Sequence, residues 1–446
     1  MKEMQESLLG AVSPTADSVP PPSSGLPELD GYIRFLGFKP LMCCWRHSAM
    51  GRSSGGSGGG GGCLRCPRCF LSTFADAAYS SLVFLCTAAA LPYFWYMELA
   101  FHDPASTSVV LYTLLLNLQP PLAWVTGFWY FRGLFGGANG HYSAVAVPLT
   151  EQALRSRDEF STKFRRKVHN FIVFGWVANV VFWLLYVVWL FQMVYIPVFM
   201  TLPMSQQLLW VFLPVSFVYR LWVPMFLCLY FAVVCESHVS KIDQSPRELQ
   251  DMFRRNREQR KEGASTTMAG PEVVAGWDSV RHPSAAPSRI AELVENIAYN
   301  IRLRRRTQRA WTFHFTSVHA MPLMSVVLMI YFLVVDKAVM LRVWVFIVYA
   351  VHFCAQAGWV FRSAQRVTEH SFQARRDMYE VIAKDDSGFA VEDRQRVGEF
   401  SNFMMHCYDG FCIWGLPVTA AEGGRILQLL FAVVGPIVVM RVLLPR

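Results

Sequence analysis

Long apolar stretches alternate with polar segments along most of the chain. Each stretch is roughly 20 residues long, which is the length that an α-helix needs to cross about 30 Å of hydrocarbon. The pattern predicts an all-α, polytopic membrane protein with seven transmembrane helices. The predicted spans are Ala77–Met97, Val109–Phe131, Phe171–Tyr195, Leu208–Val234, Phe315–Val335, Val343–Phe361 and Ile426–Leu444.

The basic residues between these stretches predict the orientation of the helices. Counted from the N-terminus, the segments before and between the spans hold 7, 0, 7, 0, 14, 2 and 7 Lys plus Arg residues. Segments rich in Lys and Arg stay on the cytoplasmic side of a membrane. We therefore expect a cytoplasmic N-terminus and, after seven crossings, an extracellular C-terminus. This order is the reverse of that in a G-protein-coupled receptor.

The composition changes this picture little. Hydrophobic residues make up 53% of the chain, and the formal net charge of +9 lies in the segments between the spans. We therefore predict contact with a lipid bilayer and no binding to nucleic acid. The sequence contains no P-loop, no Gly-x-Ser-x-Gly and no His-rich metal motif. We expect no enzymatic activity, no cofactor and no metal.

Residues 1–75 are predicted to form a cytoplasmic N-terminal tail that is largely disordered, because they are rich in Pro, Ser and Gly. A short amphipathic helix is expected near 31–45, ended by Pro40 and lying at the inner membrane face. The rest, 76–446, is predicted to be the transmembrane domain.

Helical patterns continue beyond the spans on the predicted cytoplasmic side. Apolar residues recur at steps of three and four in 289–312, 362–384 and 389–408. We expect these three segments to pack together as a cytoplasmic helical anchor. Pro, Gly and Ser punctuate Ser245–Arg289, which we expect to be mostly flexible. The last segment, 424–446, is the candidate pore helix.

Three cysteines precede the first span, in the run Cys63-Leu-Arg-Cys66-Pro-Arg-Cys69. A zinc site would need a fourth ligand, which the run does not supply. Cysteines among arginines next to a membrane helix are typical of palmitoylation sites, so Cys63, Cys66 and Cys69 are candidate lipidation sites. Reduced cytosolic thiols are an equally simple interpretation.

Two motifs resemble those of the insect gustatory and odorant receptor superfamily. The first is Ile33-Arg34-Phe35-Leu36-Gly37-Phe38-Lys39-Pro40, which resembles the family's N-terminal hydrophobic-Leu-Gly-x-x-Pro segment. The second resembles the family's approach to its seventh helix. It consists of Cys407, Gly410, Gly415-Leu416-Pro417-Val418, Arg425 to Leu427 and Gly435. The chain is identified as a divergent, gustatory receptor-like member.

This resemblance implies a tetrameric, ligand-gated ion channel whose pore is lined by the seventh helix of each subunit. Four copies of an apolar helix segment would form a constriction that gates by dewetting, and Arg441 would either oppose cations or extend to lipid headgroups. The family's Thr-Tyr and Gln-Phe residues are replaced here by Gly435-Pro436 and Val442-Leu443. The predicted pore-lining residues are Gln428, Ile437, Val438, Val439 and Arg441.

In the family, the ligand pocket lies among the outer halves of helices two to six. Aromatic walls with a few polar groups suit a small, mostly apolar ligand, although aromatic residues also pack membrane bundles. Arg220 in the middle of the fourth span needs a polar partner, which we expect to be Gln192, Asn179, His352 or a ligand. The candidate ligand-binding residues are Tyr112, Asn117, Tyr186, Trp189, Gln192, Tyr219, Arg220, Tyr331, Trp344, Tyr349 and His352.

The most specific function that these observations predict is a chemoreceptor channel, opened by a small-molecule ligand and passing ions across the plasma membrane. It would assemble as a homo- or hetero-oligomer through the cytoplasmic anchor. The alternative is a non-conducting receptor, scaffold or transporter that keeps this fold. The loss of the Thr, Tyr and Gln residues from the last helix favours that alternative.

Overall fold

The structure is a computed structural model. The residues that it describes are 27–38, 67–88, 91, 107–132, 158–191, 199–201, 203–267, 289–320, 343–384, 398–399, 402, 410–413 and 416–421. These residues are almost entirely helical. The predicted spans Phe315–Val335, beyond residue 320, and Ile426–Leu444 lie outside this part of the chain.

The helices follow the hydrophobic pattern, and several extend far beyond it. A two-residue antiparallel hairpin, β1 (Cys412–Ile413) and β2 (Leu416–Pro417), pairs Cys412 with Pro417. A 3₁₀ turn comprises Phe199–Thr201, and a π-helical segment comprises Phe315–Ala320. The longer elements are α1 (Pro27–Phe35), α2 (Pro67–Ala88), α3 (Thr107–Arg132), α4 (Asp158–Leu190), α5 (Met204–Thr267), α6 (Arg289–His314) and α7 (Val343–Lys384).

Helix α5 corrects one sequence-based expectation. It contains 64 residues and is therefore about 96 Å long, or roughly three times the thickness of the hydrocarbon core. We expected Ser245–Arg289 to be flexible, but α5 continues to Thr267. The reason is an apolar stripe that includes Leu249 and Phe253, both buried in a cluster with residues of α6 and α7. Burial of this stripe stabilises the helix around Pro246, which lies three residues before Leu249.

Two helical segments in the described part are long and apolar enough to cross a membrane, namely Thr162–Val188 and Val211–Arg255. They differ in their surroundings. The apolar window of the first is 22% buried within the protein, whereas that of the second is 89% buried. The described part of α2 also holds a shorter apolar helix, Phe74–Ala88.

The described residues divide into two compact units. Unit 1 takes its described residues from 235–308 and 364–419, and unit 2 takes its from 27–234, 309–363 and 420–421. Unit 1 has a core in which α5, α6 and α7 meet. Its buried members are Leu249, Phe253, Leu293, Ile297, Ile301 and Met378.

Polar contacts also join the helices of unit 1. The carboxylate of Glu236 on α5 accepts a hydrogen bond from Arg366 on α7 at 2.8 Å. Asp243 and His370 form a second α5–α7 contact at 2.8 Å. The hairpin is attached to the same helices, because the backbone N–H of Phe411 donates to Thr368 Oγ1 at 3.0 Å. Glu236 and Thr368 are buried, so their bonds pair polar groups that are shielded from solvent.

In unit 2, α1 packs against other helices, and its residues Leu29 and Ile33 are buried. It ends at Phe35, five residues before Pro40. Gly37 has a φ of 72°, and the backbone N–H groups of Phe38 and Gly37 donate to the carbonyls of Ile33 and Arg34. This pair of hydrogen bonds is a Schellman motif, which needs glycine at the left-handed position. The Leu36-Gly37 pair in the sequence motif is thus a helix C-cap.

Three side chains from the neighbouring helices bind the last carbonyls of this N-terminal segment. Tyr79 donates to Phe35 O at 2.6 Å and Ser80 donates to Gly37 O at 2.8 Å, both from α2. Trp124 on α3 donates to Leu36 O at 3.2 Å. The end of α1 is therefore hydrogen-bonded inside an apolar bundle.

Aromatic rings fill the space around the same segment. Phe38 is fully buried and stacks on Phe131 with ring centroids 5.2 Å apart. Tyr32 stacks on Phe226 of α5 at 5.7 Å and lies beside Trp176 of α4 at 5.5 Å. Packing of this kind gives each ring a defined position, since stacked and tilted pairs are favoured over random contacts.

Replacement of Gly37 by Ala should destabilise the protein. The left-handed conformation costs an L-residue about 1–2 kcal/mol, and the added Cβ would lie 3.1 Å from the Cα of Ser80. We expect a lower thermal unfolding temperature for the full chain in detergent.

Gly31→Ala in the same helix is the matched control, because no atom lies within 4 Å of its added Cβ. It should leave the unfolding temperature unchanged or raise it slightly, since Ala favours a helix over Gly. Equal effects of the two substitutions would contradict the assignment of Gly37 as the cap.

Candidate functional site

A buried arginine lies at the centre of the candidate site. Arg220 of α5 is 5% exposed and sits in the middle of a predicted span. An arginine at such a position costs at least about 2.5–3.5 kcal/mol on insertion scales, so it requires polar partners. Asn117 of α3 supplies one, because its Oδ1 accepts a hydrogen bond from the Arg220 guanidinium. Asn117 was not among the partners that we expected for Arg220, and one of those expected partners, Gln192, lies outside the described residues.

Aromatic rings form one wall beside this arginine. The guanidinium carbon of Arg220 lies 5.4 Å from the ring centroid of Phe217, in a cation–π arrangement. Phe217 stacks on Tyr186 of α4 with ring centroids 3.5 Å apart and an interplanar angle of 8°. Both rings are buried. The structure therefore brings Asn117, Tyr186 and Arg220 together from three helices.

A second polar chain connects α3 with α7. The amide nitrogen of Gln119 donates to Gln356 Oε1 at 3.1 Å. Gln356 Nε2 lies 2.6 Å from His352 Nε2 one turn away. The imidazole of His352 also meets the edge of Phe182 at 4.4 Å. All three polar residues are at most 3% exposed.

Helix α3 contributes one residue to the Asn117–Arg220 pair and one to the Gln119–Gln356–His352 chain. Asn117 and Gln119 are two residues apart, which is about 200° around a helix, so they lie on nearly opposite sides of α3. Asn117 bonds to α5 and Gln119 bonds to α7. Pro120 and Pro121 follow directly within the helix. A change in the rotation or bend of α3 would therefore alter both polar groups.

Another predicted ligand residue, Tyr219, makes different contacts. Its ring stacks on Phe35 of α1 with centroids 5.5 Å apart, and its hydroxyl hydrogen-bonds with Tyr79 of α2. These contacts place Tyr219 at the end of the N-terminal segment. His352 belongs to the second polar chain, where its imidazole contacts Gln356.

Several other predicted residues have no described side chain. Tyr112, Trp189, Trp344 and Tyr349 lie in helices α3, α4 and α7, and Cys69 lies in α2. Their side chains are outside the described part of the structure. For other predicted residues, backbone and side chain both lie outside the described part of the structure. These residues are Gln192, Tyr331, Cys63, Cys66, Gln428, Ile437, Val438, Val439 and Arg441.

Two polar residues of the site were missed by the sequence analysis, namely Gln119 and Gln356. Both are polar residues inside predicted spans, Val109–Phe131 and Val343–Phe361. The rule that selected Arg220 applies to them as well, since buried polar groups in a membrane helix need partners. The signal was therefore present, but the pairing of the two glutamines required the tertiary structure.

This arrangement can bind a small ligand by two kinds of contact. A guanidinium offers several N–H donors to an oxygen atom, whether neutral or anionic. The stacked rings of Tyr186 and Phe217 offer an apolar surface. An aromatic wall with a few polar groups fits a small, mostly apolar molecule that carries an oxygen acceptor. Among the described residues, no group of His, Cys, Asp and Glu is arranged to hold a metal ion.

Replacement of Gln356 by Leu should destabilise unit 2. It removes the acceptor of Gln119 and the partner of His352, and an unsatisfied buried polar group costs about 1–3 kcal/mol. The double variant Gln119→Leu/Gln356→Leu should cost less than the sum of the two single changes, because it removes both partners of the same bond. Thermal unfolding of the four proteins in detergent measures this coupling.

Gln373→Leu is the matched control for this cycle. It lies on the same helix α7, where its exposed side chain donates to Asp377. We expect a change within about 0.5 kcal/mol, as for other surface substitutions. Strict additivity of the two buried substitutions would show that the Gln119–Gln356 bond does not contribute.

Comparisons with known proteins give no match by sequence. No protein-family model matches the chain, and no curated protein matches it. Solved structures do match the fold. Among them are two structures of the insect olfactory receptor OR5 from Machilis hrabei, one of them in complex with eugenol.

Both counterparts match over nearly their entire length. The TM-score is 0.62 for the eugenol complex and 0.64 for the other structure. In each case the identity is 11%, and the match covers 94% of this chain and 97% of the receptor chain. The sequence resemblance is thereby confirmed at the level of the fold. This chain has the all-α fold of an insect olfactory receptor, which is a polytopic membrane protein.

Proposed function

We propose that this chain is a gustatory receptor-like chemoreceptor of the insect odorant and gustatory receptor superfamily that works as a ligand-gated ion channel. The observation that carries the proposal is the fold, which is shared with an insect olfactory receptor over 94% of this chain and 97% of that one. The shared fold is that of a receptor, which also favours a protein without enzymatic activity.

The proposed ligand is a small, mostly apolar molecule with an oxygen acceptor. Arg220, Asn117, Tyr186 and Phe217 support this choice, because they combine N–H donors with stacked rings inside an apolar bundle. The olfactory receptor of the same fold was solved with eugenol, an aromatic phenol. Eugenol is therefore the first ligand to test on this chain.

The proposed pore is the last apolar stretch, Ile426–Leu444, contributed by each of four subunits. Ile437, Val438 and Val439 would form its apolar constriction, and Arg441 would lie near the outer end. Unit 1 is the proposed contact between subunits, in keeping with its predicted cytoplasmic position. The proposed location is the plasma membrane.

A second candidate function is a non-conducting receptor, scaffold or transporter with the same fold. The observation that favours it is the sequence of the last apolar stretch. Gly435-Pro436 and Val442-Leu443 stand where the family carries Thr-Tyr and Gln-Phe, and Arg441 adds a charge that opposes cations.

The ligand site is tested by whole-cell current recording from cells that express the full chain at the surface. Eugenol and a panel of small aromatic alcohols and carboxylates are the stimuli. Arg220→Met should raise the concentration for half-maximal response at least about tenfold, because a hydrogen bond to a charged group contributes about 1.5–3 kcal/mol. Surface labelling must show equal expression of the variant.

The control for this measurement is Val177→Ala, whose side chain is exposed on α4. It should leave the half-maximal concentration unchanged. An unchanged value for Arg220→Met as well would contradict the proposed site while leaving the channel itself intact.

The pore is tested with Arg441→Gln in the same recordings. If Arg441 faces the lumen, the substitution removes four positive charges from a tetrameric pore. The reversal potential should then shift towards the equilibrium potential of the permeant cations. Surface-expressed tetramers, verified by mass photometry, that carry no current with any stimulus would rule out the channel and leave the non-conducting function.

A further inference from the structure

A buried amide lies in the apolar part of helix α4. Asn179 is 1% exposed, and its Oδ1 atom accepts no hydrogen bond from any group in the described part of the structure. A buried acceptor without a donor costs free energy, and such groups are rare in native proteins. The position therefore needs a partner that the chain itself does not supply there.

The neighbours of Asn179 on the same side of α4 contact two other helices. Gly175, one turn earlier, lies against α5, because a Cβ atom added to it would be 2.7 Å from Leu229 Cδ1. Phe182, about one turn later, makes an edge contact with the imidazole of His352 on α7, with ring centroids 4.4 Å apart. Asn179 thus lies on α4 between a contact with α5 and a contact with α7.

The imidazole of His352 has an unused N–H group. Its Nε2 atom lies 2.6 Å from the amide nitrogen of Gln356. An amide nitrogen donates and does not accept, so Nε2 of the neutral imidazole is the acceptor and the proton is on Nδ1. His352 is 3% exposed, and Nδ1 has no hydrogen-bond partner among the described residues. The chain from Gln119 through Gln356 to His352 therefore ends in a buried donor.

This donor and the acceptor of Asn179 lie at similar levels of the bundle. Helices α4 and α7 are antiparallel, because Phe174 contacts Trp359 and the later residue Phe182 contacts the earlier residue His352. Asn179 is three residues before Phe182, which is about 4.5 Å along the helix axis. Both unsatisfied atoms are therefore within about one helical turn of the Phe182–His352 contact.

A hydroxyl group has the hydrogen-bonding capacity that these two atoms lack. Its oxygen can accept from His352 Nδ1–H while its hydrogen is donated to Asn179 Oδ1. An ether, a carbonyl or a carboxylate only accepts, so each would leave the Asn179 oxygen unsatisfied. The ring of Phe182 supplies an apolar surface beside the two polar atoms, as expected of a site for a small, mostly apolar molecule.

We propose that Asn179 and His352 form a hydroxyl-specific binding site, so that the ligand of this chain is a small apolar alcohol or phenol. The inference rests on the proposed function, because it assumes that the bundle binds a small apolar molecule. It adds a selectivity that Arg220 does not provide, since a guanidinium donates equally to the oxygen of a hydroxyl or of an ether. Ordered water offers the same O–H chemistry and is the other source of the hydroxyl.

The site is tested by equilibrium binding to the purified full chain in lipid nanodiscs, measured by microscale thermophoresis. The probes are eugenol, its O-methyl ether, and 3-allylanisole, in which hydrogen replaces the hydroxyl group. Eugenol should bind at least about tenfold more tightly than either analogue, because both analogues leave a buried polar group unsatisfied. The measurement needs no current, so its failure is distinct from a failure of ion conduction.

Asn179→Leu should remove this preference. The dissociation constant of eugenol should rise about tenfold, and that of 3-allylanisole should change less than about twofold. His352→Phe should have the same effect, because it keeps the aromatic contact with Phe182 and removes the N–H donor. It also removes the partner of Gln356, so Asn179→Leu decides the outcome if His352→Phe does not fold.

The matched control is Thr126→Val on α3. Thr126 is also buried, but its hydroxyl donates to the Leu122 carbonyl of its own helix at 2.7 Å. The control should leave all three dissociation constants unchanged, and an equal effect in it would overturn the proposal.

Three further outcomes would also overturn the hydroxyl site. They are an absence of eugenol binding, equal affinity of the wild type for all three probes, and an undiminished preference in Asn179→Leu, which would show that the two atoms bind ordered water alone. Binding that depends on Arg220 but not on Asn179 would overturn this proposal and leave the proposed function intact.

Discussion

The structure depends on the satisfaction of backbone carbonyls inside an apolar helix bundle. Helix α1 ends beside buried aromatic rings, and its last carbonyl groups need hydrogen-bond donors that the helix itself does not supply. Tyr79, Ser80 and Trp124 supply the missing donors, and Gly37 allows the chain to turn without a clash. The N-terminal segment, α2 and α3 are therefore fixed to one another before any ligand binds.

The same requirement shapes the candidate ligand site. Burial of a polar or charged side chain in an apolar bundle costs free energy unless the side chain has a polar partner, and this applies to Arg220, Gln119 and Gln356. Their bonds join α3 to α5 and α3 to α7. A ligand that competes for the Arg220 guanidinium would exchange one partner for another. Such an exchange gives binding a direct route to a change in helix position, because α3 carries both polar groups.

Burial also separates two helices that the sequence makes look alike. The apolar windows of α4 and α5 both pass the same length and hydropathy criteria, but the first is 22% buried and the second 89% buried. Helix α5 is thus a central element whose neighbours are other helices. Helix α4, by contrast, keeps an exposed apolar face that includes Val173, Phe174 and Val177.

The sequence by itself determined the all-α membrane fold and its family resemblance, since apolar stretches of the right length and the Leu36-Gly37 cap are local features. It also singled out Arg220, because a charge inside an apolar span needs a polar partner, and the family resemblance selected Asn117 and Tyr186. Only the tertiary structure decided that Arg220 bonds Asn117, that Gln119 bonds Gln356 and that α5 continues to Thr267. Those outcomes depend on contacts between residues far apart in the chain, and no local pattern specifies which helices become neighbours.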